Sequence, residues 1–222
     1  MKTKKLKILV GCEYSATVRS AFEQYGHDVV SCDLLPSEKP GKHFIGDLGE
    51  KLQEKWDAII AFPPCTYLSS AGLYLCNVEN RGISAWERIQ KRNEAVDFFL
   101  SIWFADCEHI CIENPLGFIS STILKPTQII HPYYFGDTKM KRTALWLKNL
   151  PSLVHAATPT LFDEVSHHQD KSDFYIGKTV RKSGKIKNKT WIDVANQHER
   201  SRFSQNIAEA MAKQWTDSMC LS

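Results

Sequence analysis

The chain has 222 residues, a net charge of +3, and a composition that is 43% hydrophobic and 11% aromatic. Such a chain is long enough to bury a sizeable core, and its aromatic content excludes a disordered protein. No run of about 18 apolar residues occurs, which predicts that no segment spans a membrane. Seven cysteines without regular spacing or a C-x-x-C pair favour a reducing, cytoplasmic compartment and predict neither a disulfide framework nor a metal site.

Strand-like and helix-like patterns alternate through the first two thirds of the chain. Short apolar runs predict strands at 8–10, 28–32, 42–45, 57–62, 109–112 and 143–147. Apolar residues at helical spacing predict helices at 15–25, 84–105 and 207–215. Repeated strand–helix units predict an α/β fold, with a mostly parallel sheet that carries helices on both faces. Helical or strand settings predict core positions for Trp86, Trp103, Trp146 and Trp215.

Residues 152–200 differ from the rest of the chain, because they are polar, rich in His and Lys, and weakly periodic. We interpret them as a small insert between a core of residues 1–151 and a C-terminal helix, within 201–222, that completes this core. Inside the insert, residues 178–189 carry six positive charges and no acid. This basic run suits contact with a phosphate backbone and equally suits a solvated loop.

Five residues lie where successive predicted strands end, on what would be one edge of the sheet. Open α/β sheets bind their ligands at this edge. At the first strand end, a tight turn is expected to let the start of the next helix face a ligand. An acid at one strand end is more often a turn or capping residue, but five such positions in order favour a site. They are Gly11, Asp33, Asp47, Cys65 and Glu113.

The most informative strand end is Pro63-Pro64-Cys65, which directly follows the apolar run 58–62. Two prolines stiffen the chain, so the next side chain is held in a defined place. A thiol in this place is a candidate nucleophile, and the alternative is a small buried core cysteine. A carboxyl group such as Glu113 suits the same chemistry, since it protonates a nitrogen when a thiolate attacks a neighbouring electron-poor carbon.

The order of these motifs resembles the cytosine-5 DNA methyltransferases, especially the short forms found in bacteriophages and prophages. The most specific part of the resemblance is Pro-Pro-Cys followed at this distance by Glu-Asn. The segments that resemble the family are 10–15 together with Asp33, Gly46-Asp47, 62–72, Ile112-Glu113-Asn114, Lys141-Arg142-Thr143 and Gln205-Asn206-Ile207-Ala208.

The resemblance implies a class I S-adenosylmethionine-dependent methyltransferase with a Rossmann-like fold. It would methylate C5 of cytosine in DNA, on a base flipped out of the duplex, through a covalent adduct with Cys65. Glu113 would hold or protonate the base, and Arg142 would position the base or stabilise the thiolate. A bacterial or phage-infected cytoplasm and protection of DNA from restriction are also implied.

The resemblance further assigns residues to the cofactor and to the substrate. The implied cofactor-binding residues are Gly11, Cys12, Glu13, Tyr14, Ser15, Asp33, Asp47, Pro63 and Asn206. On the substrate side, Pro64 would fix the loop and Asn114 the strand end, while the basic run would contact DNA phosphates without reading sequence. The implied phosphate contacts are Lys182, Lys185 and Lys187.

Two alternatives stay open at this point. Only about fifty residues, roughly 150–200, are available for target recognition, where the family typically has a long domain. This favours the same chemistry on RNA or on a free pyrimidine nucleotide as one alternative. The other is a nucleic-acid-binding relative that keeps the fold and has lost turnover.

Overall fold

The computed structural model describes residues 4–155, 175–180, 185–189 and 202–221. In these ranges the chain forms a seven-stranded mixed sheet covered by helices, together with a separate two-stranded hairpin. The strands are β1 Lys7–Gly11, β2 Asp28–Asp33, β3 His43–Ile45, β4 Ala58–Ala61, β5 His109–Asn114, β6 Gln128–Ile130, β7 Thr143–Lys148, β8 Gly177–Val180 and β9 Ile186–Lys189. The α-helices are α1 Thr17–Glu23, α2 Leu48–Lys51, α3 Val78–Arg81, α4 Ile83–Trp103 and α5 Gln205–Leu221. Short 3₁₀-helices span Ser70–Cys76 and Pro132–Phe135, and a π-helix spans Ile119–Ile123.

The strand order of the large sheet is β3-β2-β1-β4-β5-β7-β6. Strands β1 to β5 pair with one another in parallel, whereas β7 is antiparallel to both β5 and β6. The order reverses between β1 and β4, and the carboxyl ends of strands at such a switch point form a crevice. This α/β arrangement is compatible with a Rossmann-like fold.

Alternating residues of the central strands pack against helices on opposite faces of the sheet. Ile8 and Val10 pack with α1 and α5 in one cluster, whereas Leu9 packs with α4 in the other. Successive side chains of a strand point to opposite faces, so a sheet covered on both sides needs uninterrupted apolar runs. This explains why the central strands could be predicted from apolar runs in the sequence.

The six predicted strands and three predicted helices are confirmed, with shifts at their ends. Three short strands were not predicted, namely β6, β8 and β9. Trp146 and Trp215 are fully buried, as predicted, and Trp103 packs against the core. The core position predicted for Trp86 is wrong, because its side chain is 61% exposed. Ala85 is the one buried residue in the first turns of α4, and the other buried residues of this helix are Val96, Phe99 and Ile102.

The division into residues 1–151, 152–200 and 201–222 stays a prediction, because much of the insert lies outside the described residues. Helix α5 packs against α1 and buries Trp215, so the C-terminal segment belongs to the main core. Within the insert, the described residues of the basic run form the β8–β9 hairpin. No helix in the described ranges is both long enough and apolar enough to cross a membrane.

Candidate active site

A large pocket lies at the carboxyl ends of β1, β2 and β3, where the strand order reverses. It has a volume of about 1020 Å³, part of which is continuous with solvent. The loop after β4 and the middle of α4 form its other walls. Its lining includes Cys12, Leu34, Pro64 and Phe98. The pocket is mostly apolar, and its charged lining residues are Asp33, Asp47, Lys91 and Glu94.

The carboxylates of Asp33 and Asp47 also have local structural roles. Asp33 Oδ1 accepts a hydrogen bond from the Leu35 backbone N–H at 2.9 Å. Asp47 Oδ1 accepts from the Gly49 N–H at 2.6 Å and caps α2. Each carboxylate has a second oxygen, and both residues line the pocket. The capping role and the predicted ligand role are therefore compatible at these two positions.

The end of β1 separates this large pocket from a smaller one. Cys12 borders both cavities and has a backbone φ of 58°, in the left-handed region. Burial, and to a smaller degree the charge of Asp33, raises the pKa of the Cys12 thiol to about 12. The preceding Gly11 is required for packing, since a Cβ there would lie 2.7 Å from Leu48 Cδ2.

The smaller pocket, of about 310 Å³, is lined by residues that follow β1 and by residues that precede α5. Tyr14 and Ser15 face it, as predicted for cofactor-binding residues, although Ser15 also hydrogen-bonds Thr17 at 3.0 Å. Opposite them are Phe203 and Phe62, whose ring centroids are 4.8 Å apart. The segment before α5 thus closes the site beside the loop after β4.

Glu13 also borders the smaller pocket, but its carboxylate is already engaged. Its two oxygens accept the backbone N–H groups of Val18 at 2.6 Å and Arg19 at 3.1 Å. Burial raises the pKa of Glu13, while these two hydrogen bonds oppose the rise. The expectation that the start of α1 faces a ligand is therefore wrong, because Glu13 takes these donors.

The candidate nucleophile lies on the loop after β4. Pro63 is buried, whereas Pro64 and Cys65 are exposed, and Pro64 rather than Pro63 lines the large pocket. The Cys65 carbonyl accepts hydrogen bonds from the N–H groups of Leu68 and Ser69, which folds the loop into a tight turn. Cys65 thus lies just after the end of β4, and its role as a nucleophile stays a prediction.

Glu113 and Lys141 are the charged groups that act on Cys65. Partial burial and the charge of Glu113 raise the pKa of the Cys65 thiol, and the charge of Lys141 lowers it. Burial also raises the pKa of Glu113, again opposed by Lys141. Arg142, the predicted cation of this segment, has an exposed side chain. Lys141 is the residue that sequence reasoning missed, although it is adjacent to the predicted one.

Asn114 fixes the loop that carries Cys65. Its buried side-chain amide donates a hydrogen bond to the Pro63 carbonyl at 2.8 Å. The loops after β4 and β5 are also joined by Ser70 N–H to Leu116 O at 3.2 Å and Phe118 N–H to Leu68 O at 2.7 Å. These bonds hold Cys65 and Glu113 on a common rigid frame. The predicted role of Asn114 at the strand end thus extends to the neighbouring loop.

The remaining predicted residues lie farther out. Asn206 is half-buried in the first turn of α5, and the pockets are lined by Arg202, Phe203 and Ser204 just before it. Lys185 is exposed at the start of β9. Lys182 and the side chain of Lys187 lie outside the described residues.

Neither a scan against protein-family models nor a search of curated proteins found a match to this chain.

Proposed function

We propose that this chain is an S-adenosylmethionine-dependent methyltransferase that methylates C5 of cytosine in DNA, with Cys65 as the nucleophile. The observation that carries the proposal is the proximity of Cys65, on the loop after β4, to Glu113, near the end of the neighbouring parallel strand β5. Asn114 joins the two loops through the Pro63 carbonyl. The sheet supports the proposal, because a mostly parallel sheet with a ligand crevice at its switch point is what a class I methyltransferase requires.

The chemistry of the large pocket fits the proposed cofactor. Leu34 and Phe98 offer apolar contact to an adenine ring, and the carboxylates of Asp33 and Asp47 suit ribose hydroxyls and an exocyclic amine. Because Pro64 borders this pocket and Cys65 follows it, the cofactor would meet the base beside the nucleophile. When bound, it would supply an electrophilic methyl group.

The residues around Cys65 suit attack on a pyrimidine. The thiolate would add to C6 of the cytosine, while Glu113 donates its proton to N3, so that the electron pair of the ring moves to C5. The raised pKa of Glu113 favours the protonated carboxyl that this step needs. Once C5 has taken the methyl group, with S-adenosylhomocysteine as the leaving group, loss of the C5 proton to a base would expel the Cys65 thiolate. Return of the N3 proton to Glu113 would restore the neutral aromatic ring.

The first test is expression of the chain in cells that lack cytosine methylation, followed by mass analysis of nucleosides from their DNA and RNA. We expect 5-methylcytosine in DNA with the wild type and none with Cys65→Ser. The Cys65→Ser variant should bind the cofactor as the wild type does, which calorimetry would show. Methylcytosine found only in RNA would favour the RNA alternative, and none in either, from soluble protein that binds cofactor, would favour a relative without turnover.

A further inference from the structure

A concave, basic surface lies beside the loop that carries Cys65, at the start of α4. Its volume is about 560 Å³, open to solvent, and we refer to it as the α4 basin. Three of its residues are cationic and one is anionic, so the basin carries a net positive charge. It is lined by Tyr67, Leu75, Arg81, Ser84, Glu87, Arg88 and Lys91.

Arg88 joins the α4 basin rigidly to the loop. Its guanidinium donates hydrogen bonds to the carbonyls of Thr66 at 3.0 Å and Gly72 at 3.3 Å. The same group lies 5.0 Å from the centroid of the Tyr67 ring. Any ligand in the basin is therefore held in a set position relative to Cys65, which immediately precedes Thr66.

Arg81 and Lys91 leave their charges available. Both side chains are exposed, and each lies near an aromatic ring, Arg81 at 5.6 Å from Tyr74 and Lys91 at 5.8 Å from Tyr67. Among the residues that the structure describes, neither forms an ion pair with a carboxylate. Cations held beside aromatic rings, without an acidic partner, suit an anionic ligand that also presents flat rings.

The segments that line the α4 basin also carry exposed apolar side chains. Tyr74 is 64% exposed and Trp86 is 61% exposed. Ile83, the first residue of α4, is exposed as well. Large aromatic side chains are costly to leave in water, and beside a basic groove they serve as platforms on which nucleobases stack. A strand of nucleic acid satisfies both the positive charge and the exposed rings.

We propose that the α4 basin binds the phosphates of the DNA strand next to the target cytosine. The inference deepens the proposed function and rests on it for the identity of the ligand. Arg81 and Lys91 contact phosphates, and Arg88 sets the distance from them to Cys65. Phosphate binding is thus assigned to a surface that directly adjoins the nucleophile, in addition to the predicted basic run at 178–189.

The test is fluorescence anisotropy with a labelled duplex containing cytosines, measured over a series of salt concentrations. The variants are Arg81→Gln, Lys91→Gln and the double variant. The matched control is Lys55→Gln with Lys213→Gln, which removes two exposed charges on the segment before β4 and on the middle of α5. Because Lys91 also borders the large pocket, cofactor binding is measured in parallel, and Arg81→Gln gives the cleaner result.

We expect the double variant to bind duplex about tenfold more weakly and to lower the slope of log K against log salt by about 2, with the control unchanged. A double variant that binds the duplex with the same affinity and the same salt slope as the wild type would overturn the inference and leave the proposed function standing. A wild type that binds neither DNA nor RNA would contradict the proposed function itself. A wild type that binds RNA alone would overturn DNA as the ligand.

Discussion

Replacement of Asn114 by alanine tests whether the two strand-end loops act as one frame. The side chain of Asn114 is 1% exposed, and its amide donates to the Pro63 carbonyl at 2.8 Å. The change removes a buried hydrogen bond and leaves that carbonyl without a donor, which costs about 2 kcal/mol in the free energy of unfolding. With an m-value of about 2 kcal/mol/M, the urea midpoint would fall by about 1 M.

Urea unfolding followed by circular dichroism measures the loss of stability, and alkylation of Cys65 by iodoacetamide, followed by mass spectrometry, measures the loop. We expect Asn114→Ala to change the alkylation rate of Cys65 under native conditions, because the loop loses its side-chain hydrogen bond to the end of β5. The control is Asn93→Ala on the exposed face of α4, which should change neither quantity. An Asn114→Ala protein with the stability and Cys65 reactivity of the wild type would refute this reasoning.

Two further predictions concern the same loops. Lys141→Met should move the pH midpoint of Cys65 alkylation upward and Glu113→Gln should move it downward, since the charge of Lys141 lowers the pKa of the thiol and that of Glu113 raises it. Shifts of the same sign in both variants would contradict this. Gly117→Ala should lower the free energy of unfolding by about 2 kcal/mol or more, since its Cβ would overlap the Leu68 carbonyl and separate two backbone hydrogen bonds. A urea midpoint equal to that of the wild type would contradict this prediction, because the two loops could then move apart without loss of stability.

The central strands could be predicted because they are buried on both faces. The runs that became β1, β4 and β5 are uninterrupted apolar segments, and each ends at a residue of the site. Strand β6 escaped prediction because it has only three residues, Gln128–Ile130, and lies at the edge of the sheet. The antiparallel direction of β7 likewise has no local signal, since it depends on the path of the chain between β5 and β7.

Site residues could be predicted where they lie close to the end of a strand. They were harder to predict where segments far apart in the sequence meet. Cys65 and Glu113 lie at such ends. The contact of Phe62 with Phe203 joins residues 141 positions apart, and no local pattern marks it. Lys141 rather than Arg142 acts on Cys65 because the direction of each side chain is set just before β7 begins, which composition does not reveal. Trp86 was misassigned because helical periodicity does not show which turns of a helix pack against the core.

The protonation states of Cys65 and Glu113 depend on each other. Burial raises the pKa of the Cys65 thiol and a charged Glu113 raises it further, so a thiolate and a carboxylate oppose each other in this site. Burial raises the pKa of Glu113 and so favours its neutral form, which removes that opposition. The neutral form is also the one that can donate a proton to a ring nitrogen. Lys141 lowers the pKa of both groups. Its positive charge chiefly stabilises whichever of the two is ionised, which is the thiolate when Glu113 carries the proton.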